Sequence, residues 1–64
     1  MTRNDRPAFS PRARVVFNVL RIAPGTIEDL ARETKLPPGV IDAALTELRE
    51  LGRAEKVGAR WRAK

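Results

Sequence analysis

The stretch Gly25–Gly52, GTIEDLARETKLPPGVIDAALTELRELG, decides how this chain folds. Thr26 is placed to cap a first helix, and Asp29, three residues on, completes an approximate capping box. Ile27, Leu30 and Ala31 then share one helical face. The chain turns between Arg32 and Pro37. Pro38 suits the first position of a second helix, where its missing N–H costs nothing. Ile41, Ala44, Leu45, Leu48 and Leu51 form the apolar stripe of that helix, and Gly52 supplies a left-handed stop. The pattern predicts helices near 26–34 and 38–51, crossing through a turn of a few residues.

Upstream, Ser10-Pro11 is a strong helix start, and the helix it opens should run to Ile22 before Ala23-Pro24-Gly25 turns the chain. Ala13, Val16, Phe17 and Leu20 follow the i, i+3, i+4, i+7 rule. Val15, Val19 and Ile22 make a second apolar row, expected to pack on a second neighbour, with a dimer face as the sharper alternative. Residues 1–9 are polar and basic and read as a mobile arm, whose Arg3 and Arg6 can reach a DNA backbone or minor groove.

Downstream, Ala54–Val57 and Arg60–Arg62 are short strand candidates around Gly58-Ala59, a pair that fits a type II′ hairpin turn. A two-residue loop sets Val57 opposite Arg60, Lys56 opposite Trp61 and Glu55 opposite Arg62. Alternation then puts Ala54, Lys56, Trp61 and Ala63 on one face, with Arg60, Arg62 and Glu55 on the other. A lone hairpin is unstable, so Trp61 is expected to lie over the helices. The large side chains expected at the centre of the core are Phe17, Leu20, Leu30, Ile41, Leu45, Leu48 and Trp61.

Composition narrows the function. A chain of 64 residues is one small domain, here an arm over 1–9 and a folded unit over 10–64. It has no Cys and no His, which argues against disulfides and the usual metal clusters, and no metal or cofactor is expected. No apolar run is long enough to span a membrane, and the N-terminus lacks the apolar core of a signal peptide, so a cytoplasmic, membrane-free protein is expected. An enzyme is not expected: there is no His, Cys or Tyr, Ser10 is taken by a cap, and the carboxylates fall on helix surfaces. The net charge is +5 and the pI near 11.1, which favours an anionic partner, nucleic acid first. The charge is segregated: residues 1–22 hold five Arg and one Asp, residues 23–51 six acids and three bases, and residues 52–64 five bases and one acid.

Helix, helix-turn-helix, then basic hairpin is the layout of a winged helix. TIEDLARETKLPPGVIDAALTELRELG followed by RAEKVGARW resembles the winged helix-turn-helix modules of bacterial and phage regulators. LPPGVIDAALTEL in particular is similar to the C-terminal winged helix of the DNA-processing protein A family. The resemblance covers residues 10–63 and implies a mainly α fold of three helices plus a β-hairpin wing. It implies a glycine at the turn position that Lys35 occupies, so a left-handed Lys35 would cost on the order of 1 kcal/mol. It also implies polar and basic base-readers on the third helix, where this chain has Gly39, Val40, Asp42, Ala43, Thr46 and Glu47. None of these is Arg, Lys, Asn or Gln, the side chains suited to bidentate readout.

The expected function is therefore binding of double-stranded DNA by a small transcriptional regulator or accessory factor. Arg3, Arg6, Arg12, Arg14, Lys35, Lys56, Arg60 and Arg62 would meet phosphates, with Gly39, Val40, Ala43 and Thr46 near the major groove. The alternative is a protein-docking module that uses Val40, Ala43 and Glu47 of the third helix. A monomer is expected by default, with a weak or DNA-templated dimer as the other option.

Overall fold

A computed structural model describes residues 9–64. Helix α1 spans Pro11–Ile22, α2 Ile27–Thr34 and α3 Pro38–Glu50, and an antiparallel hairpin follows, with β1 at Ala54–Val57 and β2 at Arg60–Ala63. This is the expected mainly helical layout of three helices and a wing. The arm expected over 1–9 falls outside the described residues, except for Phe9.

Local chemistry sets the helix ends. The Ser10 hydroxyl accepts from the Ala13 N–H at 3.2 Å and caps α1. Thr26 and Asp29 form the reciprocal capping box of α2: the Asp29 N–H donates to Thr26 Oγ1 and the Thr26 N–H to Asp29 Oδ2, both at 3.1 Å. Lys35, at φ 64° and ψ 25°, carries the left-handed turn between α2 and α3, without the glycine that would adopt it free of strain. Thr34 helps to hold that turn, donating its hydroxyl to the Leu30 carbonyl at 2.7 Å and accepting from the Leu36 N–H at 3.3 Å. At the end of α3, Gly52 has φ 74°. The Gly52 N–H donates to the Arg49 carbonyl at 3.0 Å and the Arg53 N–H to the Leu48 carbonyl at 2.8 Å, the two bonds of a Schellman stop.

The hairpin has the expected register, Val57 with Arg60, Lys56 with Trp61, Glu55 with Arg62, and Ala54 with Ala63. Gly58 has positive φ and Ala59 does not, the sign pattern of a II′ turn. Burial falls off along β1 from Ala54, 2% exposed, to Val57, 55% exposed. Lys56 was expected on the inner face beside Trp61, yet it is exposed while Trp61, its partner across the hairpin, is buried. The sheet has one element that the sequence did not announce. Gly25 exchanges two backbone hydrogen bonds with Trp61, N–H to carbonyl at 3.0 Å and carbonyl from N–H at 2.8 Å. The α1–α2 connection is thereby tied to the wing. A side chain on Gly25 would press on Asp29, with its Cβ 3.1 Å from that of Asp29.

The core is built from Val16, Leu20, Leu30, Ile41, Leu45, Leu48 and Trp61, packed with Ala13, Ala44 and Ala54. Phe17 is the exception to the expected list: it is only half-buried. Its position on α1 is rotated away from the Ala13–Val16–Leu20 line, so its ring lies at the rim. There it meets Phe9 edge-on at 5.2 Å and lies under the Arg21 guanidinium at 5.9 Å. The second row of α1 also departs from expectation. Packing of α1 on α2, α3 and β2 uses the first row, leaving Val19 half-buried and Val15 and Ile22 exposed.

Candidate nucleic-acid interface

Gly39, Asp42, Ala43 and Thr46 follow one another at i, i+3, i+4 and i+7, so α3 carries them on one line. Gly39, Asp42 and Ala43 are exposed and Thr46 is half-buried. Val40 sits half-buried beside them. The line is low in relief: Gly39 has open space around it, and Thr46 turns its hydroxyl back to donate to the Asp42 carbonyl at 3.0 Å.

Glu47 was expected among these exposed positions, as part of a docking face with Val40 and Ala43. It belongs instead to an internal clasp. Its carboxylate accepts from the Ser10 N–H at 3.0 Å and from the Ser10 hydroxyl at 2.9 Å. Ser10 thus does two jobs, accepting from Ala13 to cap α1 and donating to Glu47 to fasten that end of α1 to α3. These two bonds, the backbone one first, hold the Glu47 carboxyl below its ordinary value, and the charge of Arg12 adds to the effect. The pairing is favourable because the first turn of a helix exposes unpaired N–H groups and a partial positive charge.

Of the expected phosphate contacts, the clasp bears on Arg12. Arg12 is brought beside α3, close enough to act on Glu47. Arg14 is exposed one half-turn further along α1. Lys35 is exposed on the turn that leads into α3. Lys56 and Arg60 are exposed on the wing, and Arg60 is near enough to α2 for its charge to lower the pKa of Asp29, behind the larger effect of the Thr26 backbone and hydroxyl and that of Arg32. Arg62 differs from its neighbours: its Nε is 2.7 Å from Glu55 Oε2, across the hairpin. Arg3 and Arg6 lie outside the described residues.

Two contacts here have no counterpart in the sequence reading. The Ser10–Glu47 clasp joins positions 37 residues apart, and the sequence offered each of them a sufficient local explanation, a cap and a solvated helix face. The Arg49 guanidinium lies 5.9 Å from the centre of the Trp61 ring and covers it from α3. Among the described residues, no helix is long and apolar enough to cross a membrane.

No curated protein matches the chain. The winged helix domain of DprA matches residues 2–56, a span that takes in all three helices and most of β1 and stops before β2. With that match added to three helices, a left-handed turn at Lys35 and a two-stranded wing, the chain belongs to the DprA winged helix domain family.

Proposed function

We propose that this chain is a small module that binds duplex DNA through its backbone and reads little sequence, acting in the cytoplasm as a regulator or accessory factor and not as an enzyme. The observation that carries this reading is the capture of Glu47 by Ser10. With that carboxylate engaged, the line Gly39, Asp42, Ala43 and Thr46 is small and carries one acid, Asp42. A helix face of that kind can approach a groove closely, and Ala43 and Thr46 suit contact with thymine methyls. It offers no bidentate reader, so affinity must come from cations meeting phosphates. Arg12 and Lys35 border α3, Arg14 is exposed on α1, and Lys56 and Arg60 extend the charge onto the wing. Membership of a winged helix family named for a DNA-processing protein supports the same class of partner. Arg3 and Arg6 would add contacts from the arm.

The test is gel retardation of duplex DNA of about 30 base pairs at low salt. Retardation should be similar for unrelated sequences and should vanish as salt rises. If no duplex is retarded at about 25 mM salt, the DNA reading fails. Capture of a partner protein that is lost on substituting Val40 and Ala43 would then establish docking through α3.

A further inference from the structure

The Ser10–Glu47 clasp engages both oxygens of the carboxylate. The Ser10 N–H donates to Glu47 Oε2 at 3.0 Å, and the Ser10 hydroxyl donates to Oε1 at 2.9 Å. The hydroxyl proton is thus committed to Glu47, while the hydroxyl oxygen accepts from the Ala13 N–H at 3.2 Å. One side chain caps α1 and holds an acid of α3 at the same time. A guanidinium is the stronger partner for a carboxylate, and one stands close by. Arg12 lies in the first turn of α1, two residues after Ser10, and its charge acts on Glu47. Yet Arg12 is exposed and makes no ion pair among the described residues. The wing shows the opposite outcome, since Glu55 takes Arg62 at 2.7 Å.

We infer that Ser10 is a positioning residue for DNA binding: its hydroxyl holds Glu47, so that Arg12 stays free to meet a phosphate. The inference rests on the DNA reading and deepens it. Without the hydroxyl, Glu47 Oε1 loses its donor and Arg12 is the cation at hand to replace it. An Arg12 paired with Glu47 must leave that pair before it can serve DNA. The charges of Glu47 and Arg12 are the same in both arrangements, and only the partner of the carboxylate changes. A clasp that merely fastened α1 to α3 would behave differently. Loss of the Ser10 hydroxyl and loss of Glu47 would then have the same effect, because each breaks the same contact. If Ser10 guards Arg12, the two losses are opposed: removing the hydroxyl sequesters Arg12, and removing the carboxylate leaves nothing to sequester it.

Fluorescence anisotropy of a labelled duplex over a range of salt concentrations reads the number of phosphates met, at about −0.9 in slope for each. Arg12→Ala should flatten the slope of the otherwise unaltered chain by about 0.9. Ser10→Gly removes the hydroxyl with little harm to α1, because glycine is tolerated at an N-cap far better than alanine. It should also flatten the slope by about 0.9, and Arg12→Ala added to it should change nothing further. Glu47→Ala alone should keep the parent slope, and combined with Ser10→Gly it should return the slope to the parent value. Ser10→Thr keeps a hydroxyl and should match the parent. Circular dichroism checks that each variant is folded. The inference is overturned if Glu47→Ala flattens the slope as much as Ser10→Gly does, or fails to restore it in the double variant. An unchanged slope for Arg12→Ala alone also overturns it, a result that needs no Ser10 variant to fold. Failure of the unaltered chain to bind any duplex overturns the DNA reading and this inference together, whereas duplex binding with the wrong pattern of slopes overturns this inference alone.

Discussion

Arg60 and Arg62 are alike in type and neighbouring in sequence, yet the structure gives them different value to a phosphate. Arg60 makes no ion pair among the described residues, whereas Arg62 is held 2.7 Å from Glu55. Each phosphate contact contributes about −0.9 to the slope of log affinity against log salt. Between 50 and 200 mM salt one contact is therefore responsible for about 0.5 log unit, a threefold to fourfold loss. If Arg12, Lys35, Lys56 and Arg60 each meet one phosphate, the slope is about −3.6 and affinity falls by about two orders of magnitude over that range. Arg60→Ala should flatten the slope by about 0.9. Arg62→Ala should flatten it much less, since Arg62 must leave Glu55 before it can serve DNA. Glu55→Ala should free Arg62 and steepen the slope toward one further contact. Fluorescence anisotropy of a labelled duplex, titrated at four or more salt concentrations, measures all three. Equal flattening by Arg60→Ala and Arg62→Ala would refute the claim that the Glu55 pair withholds Arg62.

The other predictions concern the fold and its coupling to the interface. Leu45 is fully buried, so Leu45→Ala should cost about 2–5 kcal/mol. A domain of 64 residues has roughly 3–10 kcal/mol in all, so Trp61 fluorescence should show much of the variant unfolded; a Tm near that of the parent would contradict the core assignment. Glu47 binds its proton less readily folded than unfolded, so its stabilising effect is complete above its ordinary pKa of 4.5 and is lost as pH falls through the lower folded value. Glu47→Gln should accordingly lose stability less steeply than the parent in that acid range, and identical acid titrations by circular dichroism would count against the clasp. Lys35→Gly should relieve the left-handed strain and add up to about 1 kcal/mol, about 4–8 °C in Tm. It should at the same time weaken duplex binding about threefold at moderate salt; a lower Tm would show that the turn is not strained.

Much of the architecture was legible because its determinants are local. Ser10-Pro11, the Thr26–Asp29 box, Pro38 and Gly52 act on backbone groups within a few residues of themselves, so helix ends could be placed from spacing. The hairpin register followed from the two-residue turn at Gly58-Ala59, because turn length sets pairing. The apolar periods of α2 and α3 identified Leu30, Ile41, Leu45 and Leu48, since each of those helices buries one face. Periodicity was less informative for α1, whose two adjacent apolar rows look equally fit for burial. Only the packing of α2, α3 and β2 determined that Val16 lies inside, Phe17 at the rim and Ile22 in solvent. The interface was the least legible part. Charge pattern named Arg12, Lys35 and Arg60, but whether a charge is free depends on what stands opposite it in space. Glu47 looked like a solvent-facing acid until folding brought Ser10 to it from 37 residues away, and Arg62 looked like Arg60 until Glu55 was found holding it. Local spacing sets which side chains share a face, and only the closed tertiary structure sets which charges on that face are already neutralised.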